Sequence, residues 1–247
     1  MRLDVQIPAP DGTSAGTLHL PDGAGPWPGV VVFPDAGGAR ETIRQMADRL
    51  AGMGYAALVP DIYYRAGDWA PFDMATMFGD ERERARFGAL AGALTNDAIV
   101  GDAGAYAAFR LARPEVAGQA IGTTGYCLGG RMSLVAAAGL GGTIAAAASF
   151  HGGRLAVDGD PSSPHLGAGR ITATVYVAGA EEDQSFTAAQ AELLGGALSA
   201  AGVSHTVEFY PARHGFAVPD NGTYDAQASE RHYQALADLY WTALPAS

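Results

Sequence analysis

From residue 29 onward, short and continuously apolar runs alternate with longer stretches whose apolar residues recur at helical spacing. This alternation restricts the fold more than any other feature. The runs "PGVVVF", "YAALV", "AIGTTGYC", "IAAAASF", "ATVYVAGA" and "SHTVEFY" carry apolar or small residues on both faces of an extended chain, the pattern of strands buried on both sides. Between them, Ile43, Met46, Ala47, Leu50 and Ala51 line one helical face that stops at Gly54. Ile99, Ala103, Tyr106 and Phe109 line another within 94–112. Helical patterns recur over "GGRMSLVAAAGL", "FTAAQAELLGGALSAAG" and the last stretch, with Tyr233, Leu236, Tyr240 and Ala243 aligned. Strand–helix–strand repetition needs crossover connections, so the expected architecture is α/β, a mostly parallel sheet flanked by helices. "LDVQIPA" and "AGTLHL" around "PDGTS" predict an antiparallel hairpin before it. Without repeats or linker-like segments, residues 1–247 read as one domain. The irregular, aromatic and charged segment 65–88 is expected to form a lid or pocket wall.

Composition narrows the function. The formal charge of −11 and the lack of a basic stripe argue against nucleic acid and anionic membranes as partners. All 15 basic residues are Arg, so neither a Schiff-base lysine nor a Walker A lysine exists. No HExxH occurs, and a single cysteine supplies neither an internal disulfide nor a Cys-rich zinc site. No metal is expected. No apolar run has the ~18 residues of a membrane span. The start "MRLDVQIPAPDG" lacks a signal-peptide apolar region, so a cytoplasmic location is expected.

That one cysteine lies in "Gly125-Tyr126-Cys127-Leu128-Gly129", where a predicted strand meets a predicted helix. Gly-x-nucleophile-x-Gly is the form of a nucleophile elbow: flanking glycines let strand and helix approach while the turn lifts the central side chain out. The start of the following helix favours a thiolate there. A nucleophile needs a base, and the base needs an orienting acid. Downstream, in the order such sites use, come Asp183 in "VAGAEEDQSF" and His214 in "YPARHGFAVP", each just after a predicted strand. Glu181 and Glu182 are alternatives for the acid. Backbone N–H groups of Leu128 and of Ala36, in the Gly-containing loop "PDAGG", are the candidate oxyanion donors. Trp69, Phe72, Phe78 and His151 are candidate pocket residues. Arg131, four residues past the elbow, is expected to form a surface ion pair.

"GYCLGG", "HGF" and "VPDIYYR" together resemble the dienelactone hydrolase (carboxymethylenebutenolidase-like) family, a branch of the α/β-hydrolases, from about residue 25 onward. The resemblance implies an α/β-hydrolase fold and a Cys127–Asp183–His214 triad. It also implies hydrolysis of an ester or lactone through a thioester, without metal or organic cofactor. In the family, enzymes that open dienelactones carry a Glu after the central strand, in contact with the resting thiol. Here the residue is Asp35, shorter by one methylene and so by roughly 1.5 Å of reach. Two Arg residues bind the substrate carboxylate in the family. Arg84 matches one, whereas Val218 stands at the other position, which implies an altered small-molecule substrate. The expected molecule is a monomer or homodimer. Two other readings use the same residues: a catalytically idle small-molecule binder on this scaffold, and a nucleotide-binding turn, which the spacing of "GTTGYCLGG" does not fit.

Overall fold

The computed structural model describes residues 1–244. The expected hairpin is β1 (Arg2–Ala9) and β2 (Gly12–His19), paired antiparallel from Arg2↔His19 to Ala9↔Gly12. Six more strands follow: β3 (Trp27–Phe33), β4 (Ala56–Pro60), β5 (Val116–Tyr126), β6 (Ile144–Phe150), β7 (Thr174–Glu182) and β8 (His205–Arg213). They form one eight-stranded sheet in the order β1-β2-β4-β3-β5-β6-β7-β8. β2 meets β4 antiparallel, and β4 through β8 are parallel. The hairpin thus closes one edge of a sheet whose centre is parallel.

The sequence pattern explains which strands lie where. β4 is buried along its whole length, and β3 and β6 nearly so, as continuous apolar runs require. β1, at the edge, alternates between exposed and covered positions. The helices are α1 (Glu41–Gly52), α2 (Glu81–Gly92), α3 (Asn96–Leu111), α4 (Leu128–Leu140), α5 (Ala188–Ala200) and α6 (Ala226–Ala243). α1 and α6 bury Ile43, Met46, Leu50, Leu236 and Tyr240 in one core with Val30, Val32 and Phe150. α3, α4 and α5 bury Ile99, Tyr106, Met132, Leu194 and Leu198 in a second core with Val31, Phe33 and Val177. No helix among the described residues is long and apolar enough to cross a membrane.

The chain passes from β3 to β4 on one side, then returns to place β5 on the other. Such a reversal leaves a crevice beyond the C-terminal ends of the two strands, where ligands of open α/β sheets bind. The loops after β3 and β5 open there, and those after β7 and β8 lie further along the same edge.

Segment 65–88 departs from the irregular reading. It is loop only to Asp80, whose carboxylate accepts from the Arg82 and Glu83 N–H groups and caps α2. Asp80 followed three residues later by Glu83 is a helix-start signal in the sequence. α2 has no fully buried residue; Phe87 and Leu90 are half-buried against the core, a weaker apolar pattern than the other helices carry. It is fastened from outside: the Arg86 guanidinium lies 3.7 Å from the centroid of Phe72 and donates to the Ala70 carbonyl.

Gly196 lies exposed inside α5, and a Cβ there would meet nothing within 4 Å. Gly196→Ala is therefore expected to stabilise the protein by about 0.5–1 kcal/mol, read from urea denaturation midpoints.

Candidate active site

Cys127 occupies the N-cap of α4 with φ 52° and ψ −114°, a backbone conformation costing about 1–3 kcal/mol for a residue with a Cβ. The turn is held by the Cys127 N–H donating to Phe150 O at 3.1 Å, and by the Gly130 N–H donating to Cys127 O at 3.0 Å. The expected close approach is present. A Cβ on Gly125 would lie 1.9 Å from the Gly129 carbonyl oxygen, and one on Gly129 would lie 2.2 Å from that of Phe33. Those contacts force the thiol outward, and Cys127 is partly exposed.

His214 follows β8 directly. Its Nδ1 lies 2.6 Å from Asp183 Oδ2. The other carboxylate oxygen, Oδ1, accepts from the Ser185 N–H and Oγ–H, both at 2.7 Å. Of the three consecutive acids, only Asp183 is buried. Glu181 and Glu182 are exposed, and Glu182 sits 3.8 Å from Arg213. Cys127 lies near enough to His214 to raise its proton affinity. Imidazole and carboxylate are in direct contact, and Cys127, Asp183 and His214 come from three separate strand ends.

Electrostatics follow from this arrangement. Burial by itself lowers the proton affinity of His214. The hydrogen bonds and charges of Asp183 and Cys127 outweigh it and push the imidazole up to about 10. Burial would likewise raise Asp183, but hydrogen bonds from His214 and Ser185 hold it below the ordinary carboxylate range. The Thr223 hydroxyl donates to the His214 carbonyl and fixes the backbone of the loop.

The loop after β3 faces the elbow. A turn runs from Asp35 to Gly38, closed by the Gly38 N–H on Asp35 O at 2.9 Å. Ala36 is buried within it, and its carbonyl accepts from the Tyr63 hydroxyl at 3.0 Å. Burial, then the charges of Asp35 and Cys127, push the Tyr63 phenol well above its usual range. Leu128 opens α4, where the first N–H groups have no intrahelical acceptor.

The remaining predicted residues divide. Trp69 lies on the loop after β3: a Cβ on Gly38 would be 2.4 Å from its ring, while its Nε1–H donates to Asp61. Met74 covers the neighbouring position, 2.5 Å from a Cβ placed on Gly37. The 65–88 segment is thus a wall over this loop. Phe72 is buried in the core and Phe78 is exposed. Arg84 donates to the Phe78 carbonyl at 2.8 Å within its own segment. Asp35 is buried, with its two oxygens taken by Arg40, the Gly37 N–H and Asn221. Arg131 forms no ion pair; its guanidinium binds Asn96 and Ser162. His151 is fully buried with φ 40°, stacked edge-on to His214 at 5.2 Å and to Phe216 at 5.0 Å, and neither ring nitrogen has a protein partner. Burial, then His214, pushes its proton affinity far down, so it is a neutral ring. Sequence reading missed Arg40, Asp220, Tyr63 and Ser185. Arg40 and Asp220 meet across 180 residues, and no local pattern announces that.

A parallel sheet with an antiparallel hairpin, and a strained cysteine turn beyond its switch point, define an α/β-hydrolase fold. The model of the dienelactone hydrolase family matches residues 15–244, and the chain belongs to that family of hydrolases. It is 31% identical over 248 residues to the "Putative carboxymethylenebutenolidase" of Synechocystis sp., covering 97% of this chain and 96% of that one. A solved "Putative Dienelactone Hydrolase" of Klebsiella pneumoniae superposes with a TM-score of 0.82 at 24% identity, over 98% of both chains. A dienelactone hydrolase-like promiscuous phosphotriesterase from metagenomic libraries gives 0.78 at 28% identity, over 98% of both chains.

The His214 proton yields a prediction. The unfolded residue titrates near 6.5 and the folded one near 10, so between these values the native state holds a proton that the unfolded chain has released. The stabilisation is complete below pH 6.5 and is lost as pH rises through about 10. In Asp183→Asn the imidazole midpoint, followed by NMR, is expected to fall well below 10, and the stability gap to wild type to narrow from pH 6 toward pH 10.

Proposed function

We propose that the protein hydrolyses an ester or lactone through a thioester on Cys127, using no cofactor. The observation that carries this reading is the 2.6 Å contact of the His214 imidazole with Asp183, at a strand end neighbouring the strained Cys127 turn. His214, oriented by Asp183, takes the thiol proton, and the sulfur attacks the substrate carbonyl. The N–H groups of Leu128 and Ala36 hold the resulting oxyanion, each worth ~10²–10³ in rate. The C–O bond breaks, and His214 returns its proton to the leaving alkoxide. The same imidazole then takes a proton from water, which adds to the thioester carbonyl, and the proton passes to the departing sulfur. Acid and free Cys127 result.

The substrate side of the site favours an uncharged group. Trp69 and Met74 wall the loop after β3, and Leu128 packs on the same apolar cluster. Val218 stands buried where the family has its second carboxylate-binding Arg, and Arg84 is engaged with the Phe78 carbonyl. The reading is therefore a neutral ester or lactone in place of a carboxylate-bearing dienelactone. An idle binder on the same scaffold would turn nothing over.

Wild type and Cys127→Ala are to be compared on p-nitrophenyl esters of graded length, simple lactones and a dienelactone. Wild type is expected to favour the neutral substrates by about tenfold or more in kcat/KM, the value of one lost charge-assisted contact. Cys127→Ala is expected to lower kcat by ~10⁴ or more with its circular dichroism unchanged. Equal hydrolysis by the two proteins rejects the reading.

A further inference from the structure

Arg40 precedes α1 and is nearly buried, and its guanidinium lies between two carboxylates on different loops. Nη1 donates to Asp35 Oδ1 at 2.5 Å and to the Gly38 carbonyl at 3.3 Å. Nη2 donates to Asp35 Oδ2 at 3.0 Å and to Asp220 Oδ1 at 2.6 Å. Nε donates to Asp220 Oδ2 at 2.7 Å. Every N–H direction of the planar fork is thereby used, which a lysine ammonium cannot reproduce. Thr42 Oγ1 donates to Asp220 Oδ2 at 2.8 Å, and Asn221 Nδ2 reaches Asp35 Oδ2 at 3.4 Å. Gly37 leaves room for the fork, since a Cβ there would stand 2.6 Å from Nη1.

Asp35, Ala36 and Gly38 belong to the loop that offers the Ala36 N–H. Asp220 and Asn221 belong to the loop that begins at His214. The same loop is anchored separately at its start by Asp183 and Thr223, through the side chain and carbonyl of His214. Arg40 therefore ties one loop of the site to a second that is already fixed. Asp35 is at the same time engaged by two hydrogen bonds from a cation, one on each carboxylate oxygen, which opposes a role as a base.

We propose that Asp35, Arg40 and Asp220 form a strap that holds the Ala36 loop in register with the His214 loop, making Arg40 and Asp220 positioning residues for the oxyanion-stabilising step. This rests on the hydrolase reading for its kinetic consequence but not for its structural one. A misplacement of about 1 Å in such a group costs ~10²-fold in rate. Asp220 is about one-third exposed, so its isosteric replacement is compatible with folding.

The test compares Asp220→Asn, Asp220→Glu and Arg40→Lys with wild type, using an ester that wild type turns over. Three quantities are measured: steady-state kinetics, the rate of Cys127 alkylation by iodoacetamide, and hydrogen exchange at the amides of Gly37 and Gly38. For Asp220→Asn and Arg40→Lys, kcat is expected to fall about 10- to 100-fold with KM within threefold. Alkylation, which needs the thiol and His214 but no oxyanion donor, is expected to stay within threefold. Exchange at Gly37 and Gly38 is expected to quicken at least tenfold. Asp220→Glu, which keeps the carboxylate, is expected to recover most of kcat. Unchanged kcat and exchange in Asp220→Asn would overturn the strap, as would a parallel fall in kcat and alkylation, which would place the effect on the thiol and imidazole. Hydrolysis surviving in Cys127→Ala would remove the hydrolase reading, and the exchange data would still judge the strap.

Discussion

The start of α4 sits so close to β5 and β3 that two backbones meet where side chains would normally stand. Gly125 and Gly129 make this possible, with the carbonyls of Gly129 and Phe33 occupying the space of their missing Cβ atoms. The turn between them has little freedom left, and Cys127 takes a left-handed φ of 52° as a result. Everything at the site is arranged around that fixed point. The start of α4 lies against the loop after β3, and the strain is offset by packing of α4 in the core below.

The second constraint is charge in a partly dry place. His214, Asp183, Asp35, Arg40 and Asp220 lie along neighbouring loops, and each carboxylate among them has a cationic or hydrogen-bonding partner. Burial disfavours every one of these charges taken singly, so they persist only as a connected set. The wall from the 65–88 segment supplies the opposite environment, aromatic and sulfur-bearing side chains laid against a glycine turn. A polar ledge facing an apolar wall is suited to a carbonyl whose oxygen seeks N–H groups while its substituents seek dry contact.

Much of this was legible in the sequence, for physical reasons. Strands buried on both faces must be apolar throughout, so β3 to β7 and the helices between them other than α2 announce themselves. The elbow is visible because close backbone approach demands glycine at fixed offsets from Cys127. His214 and Asp183 could be picked out because each follows a recognisable strand. The choice of Asp183 over Glu182 depends on burial and on which way the chain turns after β7, which the three adjacent acids do not encode. α2 was hidden because its covered face is only half-buried, with Phe87 and Leu90 against the core among charged neighbours. Arg40 and Asp220 were hidden because ion pairs between distant loops leave no periodicity. Arg131 looked like a surface charge, yet it is used as a hydrogen-bond donor to Asn96 and Ser162.

The imidazole of His214 draws its unusual basicity from two neighbours of different permanence. Asp183 remains throughout any reaction cycle. The sulfur of Cys127 does not, because an acylated sulfur can carry no charge. The other ring in contact, His151, is neutral and offers no replacement. In the proposed cycle, acylation therefore withdraws the sulfur's part of the support for the imidazolium at the moment its proton is wanted by the departing alcohol. The residue becomes a stronger acid when it must give and a free base when water arrives. That timing would come from the bonding state of one atom, with no movement of the protein.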